Sequence, residues 1–556
     1  MDDVTRKPVA VKFRAPYDTP EARGAKPPQY RRAIEDGMIV ERDIPVTMRD
    51  GVKIYIDLFR PADEKPAAPL IAWSPYGKHS PNDPRRFPGS DVKMDAISSH
   101  TPFEGPDPVY WVPRGYAVIV ADKRGNWYSE GRATFLSPDE AEDFYDLIEW
   151  AGTQSWSNGK VGLTGVSYLA QLQWRVAELN PPHLAAMNPW EGWADTYREV
   201  ARHGGIPDTH FWPYLWRRWG ASTTEIEDLE AGMREHPLFD DYWASKASVY
   251  ERIRTPAFIV ASWTDQGLHT RGTLEGFKQI SSPRKWLEIH GRKKWAYYYE
   301  LESVQRLQEF FDHFLLGKSN AVNSWPRVRY EVREKYYAGE FKQAADWPLP
   351  NTQYMPLYLD AKAGRLTPSP VEAAGSVSYD SRSAPKERAV FDYIFDKPTE
   401  LVGHMKLRIH MAAESADDMD IFVAVQKLDA QGRFVGMAYY AMFDDGPVAL
   451  GWLRASHREL DPARSTDCQP VLAHRREMKL KPGAVVPLEI EIWPSGTRFE
   501  RGETLRLIVQ GADINQYPKD KAPVYFRHED TVNRGRHVIH AGGPYDSFLL
   551  VPIVPI

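Results

Sequence analysis

Two spacings of apolar residues alternate along the first 345 residues of the chain. Short β-branched runs bounded by glycine or turn residues have the form of strands buried on both faces of a mostly parallel sheet: "PLIAWSPYG" (69–77), "GYAVIVADKRG" (115–125), "KVGLTGVS" (160–167), "TPAFIVASWTD" (255–265) and "KWLEIH" (285–290). Between them lie segments of helical period: "SPDEAEDFYDLIEWAGTQ" (137–154), with Ser137 or Asp139 as its cap, "YLAQLQWRVAEL" (168–179), "TRGTLEGFKQI" (270–280) and "ESVQRLQEFFDHFLLG" (302–317). Ahead of them, "IPVTMRDGVKIYIDLFRP" (44–61) alternates around Asp50-Gly51 and predicts a β-hairpin. This order predicts a doubly wound α/β sheet.

The rhythm breaks twice. From 191 to 250 the text becomes helical and rich in Trp, Arg and His ("HFWPYLWRRWG", "EIEDLEAGMREHPLFDDYWASK"), which predicts an inserted helical cap. From about 350, beyond "DWPLPNTQ", helical periodicity ends. Alternating runs such as "MKLRIHMAAES" (405–415), "DIFVAVQKLD" (420–429) and "TLRLIVQGAD" (504–513) predict a β-sandwich or jelly roll over 350–556. The expected organisation is a catalytic domain from 1–190 and 251–345, the cap 191–250 between them, and a C-terminal β domain. Residues 1–35 carry no periodicity and read as an extended lead-in.

Composition narrows the chemistry. A net charge of -6 offers no basic excess with which to neutralise phosphates, so nucleic acid is not expected as a partner. The single cysteine, Cys468, excludes an intrachain disulfide framework and a Cys-based zinc cage. No apolar run approaches the roughly 20 residues of a membrane-spanning helix, and the N-terminus lacks the order of a secretory signal. These readings predict a cytoplasmic protein. Nineteen Trp and 28 Tyr fit aromatic-lined cavities or sheet packing equally well. "SADDMDIF" (415–422) lacks metal-loop spacing and reads as the solvated start of a strand, so no metal is expected. No phosphate loop or dinucleotide fingerprint occurs, and no cofactor is expected.

The candidate chemistry centres on "GLTGVSYLA" (162–170). A strand entering a helix through G-x-S is the form of a nucleophile elbow, which holds Ser167 out on a strained turn and aims the N–H of Tyr168 at a developing oxyanion. The usual glycine two residues after the serine is absent here, since Leu169 stands there, and "GVS" also occurs in ordinary tight turns. A serine nucleophile needs a histidine base oriented by a carboxylate, in the chain order Ser, Asp or Glu, His. Asp265 ends a buried strand at the sheet's carboxyl edge, where it serves either as that acid or as a helix cap. His290 follows directly after the next strand, and His269 lies four residues beyond Asp265.

Several segments in order resemble the CocE/NonD-type serine hydrolase family, the α/β-hydrolases that include cocaine esterase, α-amino-acid ester hydrolases, cephalosporin acylases and X-Pro dipeptidyl-peptidases: "VTMRDGVKIYIDLFRP", "SPYGK", "GYAVIVADKRGNWYSEG", "WSNGKVGLTGVSYLA", "ASWTD" and "GWLRASHREL". The resemblance spans most of the chain. In that family the elbow reads G-x-S-Y-x-G, so Tyr168 fits and only Ala170 departs. The resemblance implies Ser167 as nucleophile, Asp265 as acid and the hydroxyl of Tyr76, in "SPYGK", as second oxyanion donor beside the Tyr168 N–H. The family's histidine loop is altered: in "LEIHGRKKW" an ungapped alignment puts Lys294 on the histidine position. His290 is therefore expected as the base through a shortened loop, with His269 its rival. Trp73, His210, Trp212, Trp216 and His269 are candidates for lining a substrate pocket.

The expected activity is hydrolysis of an ester, or alternatively an amide, of a small acyl substrate through an acyl-enzyme. The X-Pro dipeptidyl-peptidase reading would need acidic groups to hold a free amine. A non-catalytic binding protein with a degenerate triad is the reading from a different class. Homo-oligomerisation is left open.

Overall fold

The computed structural model describes residues 9–556 apart from 64, 81, 220, 521 and 523. The hairpin around Gly51 forms as the pattern predicts. Strand β1 (Met38–Thr47) pairs antiparallel with β2 (Lys53–Pro61), and Gly51 takes the left-handed conformation (φ 89°) that the turn requires. β2 joins β4 (Tyr116–Asp122) antiparallel. From there the sheet is parallel: β4, β3 (Ala68–Ser74), β5 (Val161–Val166), β6 (Leu184–Trp190), β7 (Ala257–Ser262), β8 (Lys285–His290) and β9 (Val328–Lys335) lie side by side in that order.

Helices cover the faces of this sheet. α1 (Pro138–Gly152) starts at Ser137, whose hydroxyl accepts the Glu140 N–H at 3.1 Å, with Pro138 at the first helical position. α2 (Tyr168–Ala177) follows β5, and α3 (Thr270–Gln279) follows β7. α4 (Lys294–Tyr298) and α5 (Leu301–Phe314) follow β8. Every residue of β3, β4, β5 and β7 is buried, which is why their sequences are continuous apolar runs rather than alternating ones.

The insertion between β6 and β7 is less helical than its sequence suggests. Among the described residues it holds a π-helical turn at Tyr197–Ala201, short α-helices at Phe211–Trp219, Leu229–Glu235 and Asp241–Ser245, and a 3-10 turn at Tyr250–Arg252. The lead-in is not featureless: Phe13–Arg14 pairs with Ile226–Glu227 of the insertion, and Arg31–Glu35 pairs with β1.

The C-terminal part is built mainly of strands, with a 3-10 turn at Ala455–His457. β10 (Thr399–Ala413) pairs antiparallel with β13 (Val486–Phe499), β15 (Arg536–Ala541) and β16 (Phe548–Val554). β11 (Asp420–Leu428) lies between β12 (Ala449–Arg454) and β14 (Thr504–Gln510). The period-2 alternation of β11 splits its side chains between two cores. Ile421, Val423 and Val425 enter the C-terminal core, and Phe422 and Ala424 join the core shared with the α/β part. β14 divides in the same way, with Leu507 and Val509 on one side and Ile508 on the other. One β sheet is thereby pressed against the α/β part, and the sheets connect where Arg333 of β9 pairs with Thr497 of β13.

Candidate active site

A single residue separates β5 from α2, and the geometry of that joint explains the small residues around it. Ser167 sits at φ 61°, ψ -116°, a conformation that costs a non-glycine residue about 1–3 kcal/mol. Gly165 (φ 147°) cannot carry a side chain, because a Cβ there would meet the Leu169 Cβ and Cδ2 atoms at 2.6 Å. The Ser167 N–H donates to the Trp190 carbonyl at 3.1 Å, which ties the turn to β6. Ala170, in place of the family's glycine, fits because its neighbour is Gly192, where a Cβ would lie 3.0 Å from the Ala170 methyl. The serine side chain faces a cleft.

The imidazole facing that serine belongs to His269. Its Nε2 lies 3.1 Å from Ser167 Oγ, and its Nδ1 makes a short hydrogen bond to Asp265 Oδ2. Both partners come from one turn after β7, in which the Asp265 carbonyl accepts the N–H groups of Leu268, His269 and Thr270. The Trp193 ring stacks on the imidazole with centroids 5.8 Å apart. With the Nδ1 proton given to the carboxylate, Nε2 is left as acceptor for the serine proton.

A lysine completes the cluster. Lys294 Nζ lies 3.1 Å from Asp265 Oδ2 and 3.4 Å from His269 Nδ1, and the amine is buried. Burial alone would push the Asp265 carboxyl up, but Lys294 and His269 hold it down at about 2. Burial, then the Lys294 cation, holds the His269 imidazole below its ordinary value. Lys294 itself loses by burial, yet the carboxylates of Asp265, Glu104 and Glu191 raise it above the usual lysine value. The residue that falls on the family's histidine position thus lies beside the histidine as a fixed cation.

The expectation for His290 is corrected. Its Nε2 lies 3.0 Å from Glu191 Oε1, and its Nδ1 accepts the Arg292 N–H at 3.1 Å, so both ring nitrogens are engaged away from Ser167. Tyr297 stacks on its ring at 4.0 Å. The imidazole of His290 is a buried structural group, because the end of β8 directs it toward Glu191.

The pocket-lining expectations also need correction. Trp73 is buried in the sheet core, stacked on Phe144, with its Nε1–H donating to Glu140 Oε1 at 3.1 Å. Trp212 is buried edge-on against Phe135 at 4.6 Å. His210 stacks on Tyr214 beside the cleft rather than lining it. The side chain of Trp216 lies outside the described residues. The lining instead comes from Phe87, Phe103, Trp127, Phe211, Trp295 and, from the C-terminal part, Tyr440. They leave a narrow cleft of about 70 Å³ beside Ser167. The Tyr440 N–H donates to the Thr264 carbonyl at 2.8 Å, which docks this part beside the Asp265 turn.

Tyr76 lines the same cleft, its hydroxyl in hydrogen-bonding contact with the Ser167 side chain and the backbone of Tyr168. The Tyr168 ring points the other way, into the core, where its hydroxyl donates to Glu140 at 2.8 Å. Glu104 carries no mark in the sequence. The Tyr76 hydroxyl donates to its Oε2 at 2.5 Å, and the Trp295 Nε1–H donates to its Oε1 at 2.8 Å. Burial pushes the Glu104 carboxyl up to about 7 against the pull of Lys294, Tyr76 and Trp295. A lone glutamate in the loop text "TPFEGPDP" has no spacing that marks it.

Comparison with known proteins shows the family. Residues 50–293 match the X-Pro dipeptidyl-peptidase (S15) family, and residues 320–550 match the X-Pro dipeptidyl-peptidase C-terminal non-catalytic domain. The fold and the Ser–His–Asp line define a serine-type hydrolase of ester or amide bonds. More narrowly, the chain belongs to the CocE/NonD family of hydrolases. It is 44% identical to a CocE/NonD family hydrolase from Staphylococcus aureus, with a TM-score of 0.91 over 96% of this chain and 99% of that one. It is 24% identical to the cocaine esterase of Rhodococcus sp. (strain MB1 Bresler), over 94% of this chain and all of that protein. A putative Xaa-Pro dipeptidyl-peptidase of Bacillus anthracis is 27% identical over 46% of this chain and 47% of its own length. The fold is shared with an α-amino acid ester hydrolase, with a TM-score of 0.68 over 96% of this chain and 99% of that one at 16% identity.

Proposed function

We propose that the chain hydrolyses small carboxylic esters through an acyl-enzyme, with Ser167 as nucleophile, His269 as base and Asp265 as its orienting acid. The 3.1 Å contact between Ser167 Oγ and His269 Nε2 carries this reading. His269 takes the serine proton as Oγ attacks the acyl carbon, and returns it to the leaving alkoxide. Water, deprotonated by the same imidazole, then releases the acid. The Tyr168 N–H and the Tyr76 hydroxyl serve as the oxyanion donors. In this reading residues 191–250 cap the cleft, and the β domain from 350, read as a jelly roll, closes its other side. A cytoplasmic location belongs to the same reading and rests on the single, unbridged Cys468.

Esters are favoured over X-Pro peptides by the state of the cleft's carboxyl. A free peptide amine needs an anionic partner, and Glu104 is already engaged by Tyr76 and Trp295. Turnover of an aryl ester against a Pro-containing dipeptide anilide separates the two, and the reading requires the ester to be faster. A fluorophosphonate should label the wild type and not Ser167→Ala. His269→Ala should lower kcat by roughly 10³-fold or more. Equal loss in His290→Ala alone, with His269→Ala active, would overturn the assignment.

A further inference from the structure

The Tyr76 phenol has one proton and more than one claim on it. The phenol oxygen lies 2.5 Å from Glu104 Oε2, and the same oxygen sits beside Ser167 and the backbone of Tyr168, where the reading above needs an oxyanion donor. If Glu104 is a carboxylate, it holds the phenol proton, and Tyr76 has none to offer the substrate oxygen. If Glu104 is a carboxylic acid, the direction reverses. The acid O–H donates to the phenol oxygen, and the phenol proton is free to point at the oxyanion. The second carboxyl oxygen accepts from Trp295 in either state.

Glu104 is held for such a task. It adopts a left-handed backbone conformation (φ 62°) that a glutamate does not take without constraint. Its carbonyl accepts the Val166 N–H at 3.0 Å, so the loop is fastened to the strand that presents the nucleophile. The carboxyl is buried, and no salt bridge to it occurs among the described residues. The charged and titratable groups around it are Lys294 and Asp265 across the cleft, Tyr298 and Tyr299 at the end of α4, Tyr440 from the C-terminal part, and Tyr76 itself.

We infer that Glu104 is a positioning residue that works as a neutral acid, donating to the Tyr76 oxygen so that the phenol proton is presented to the oxyanion. This rests on the reading of Tyr76 as an oxyanion donor. A chain of hydrogen bonds polarises along its length, so a proton donor behind the phenol also strengthens the phenol as donor. No proton is transferred on balance: the acid keeps its proton and the phenol keeps its own. The value of about 7 for Glu104 fits a group that is neutral on the acid side of neutrality and loses that state as pH rises.

The test is the pH dependence of kcat and KM for p-nitrophenyl acetate between pH 5 and 9, on the full chain. Wild type should lose kcat as pH rises through about 7. Glu104→Gln keeps a neutral N–H donor toward the phenol oxygen and an acceptor for Trp295. It should recover most of the activity that Glu104→Ala loses, and its alkaline decline should vanish. Glu104→Ala should lower kcat about 10-fold or more with little change in KM, and Tyr76→Phe by roughly 10²-fold. The double variant should be no worse than Tyr76→Phe alone, because the acid acts only through the phenol. An alkaline limb in Glu104→Gln identical to wild type, or losses that multiply in the double variant, overturns the inference. A Tyr76→Phe enzyme as active as wild type overturns instead the oxyanion reading beneath it. Should Glu104→Ala fail to fold, the Gln variant and Tyr76→Phe still decide the matter.

Discussion

Lys294 shows how one side chain sets the working state of another. Its cation lies within 3.4 Å of the His269 ring and 3.1 Å from the Asp265 carboxylate. It opposes protonation of the imidazole while holding the carboxylate ionised. In the proposed mechanism His269 works in its neutral form, and removing the cation lets it bind a proton more readily. Lys294→Met is therefore expected to move the acid limb of kcat/KM to higher pH. A pH profile that moves downward or not at all would leave Lys294 a packing group. At this scale Asp265 and Ser167 were legible, since each follows a buried strand at the sheet's carboxyl edge. His269 was legible only as a rival, because what decides between two histidines is the path of a turn. Glu104 was not legible at all.

Among elements, the strand-to-helix joint at Ser167 is the most constrained. Its glycines are explained by contact distances rather than by flexibility alone. Gly165→Ala would drive a methyl into Leu169 at 2.6 Å in a backbone region that L-residues avoid. It should lower stability by about 2–4 kcal/mol, seen as a fall in Tm together with weaker fluorophosphonate labelling. Ala170→Gly makes the opposite case: it restores the family's residue within α2. It should keep labelling and cost about 1 kcal/mol from the helix propensity of glycine. The α/β elements were read well from the sequence because both of their periods are strong. The insertion over 191–250 was read as more helical than it is. Ile226–Glu227 of that stretch instead pairs with Phe13–Arg14, a distant partner that no local pattern reveals.

Across the whole molecule, the C-terminal β part is a structural wall of the cleft. Arg333 of β9 is buried, and its guanidinium donates to the Gly496 carbonyl at 3.2 Å, the Val448 carbonyl at 3.1 Å and Ser495 Oγ at 2.8 Å. Burial holds its basicity down to about 10. Arg333→Ala would leave these acceptors unmet and should cost about 3 kcal/mol or more, read as a lower Tm. With the shared core around Phe422, Trp452 and Ile508, thermal unfolding of the wild type should be a single cooperative transition. Two well-separated transitions would show instead that the two parts are energetically independent.

Local pattern determined the α/β order, the β-rich C-terminal third and the serine on its sharp turn, because period, turn chemistry and small-residue spacing are written in neighbouring residues. Tertiary structure alone decided which histidine reaches that serine, and that Glu104 and Lys294 flank it. Contacts 102 residues apart, such as Ser167 with His269, depend on where loops end in space. A side chain's role in catalysis is fixed there, by a few ångströms and by the water excluded around it.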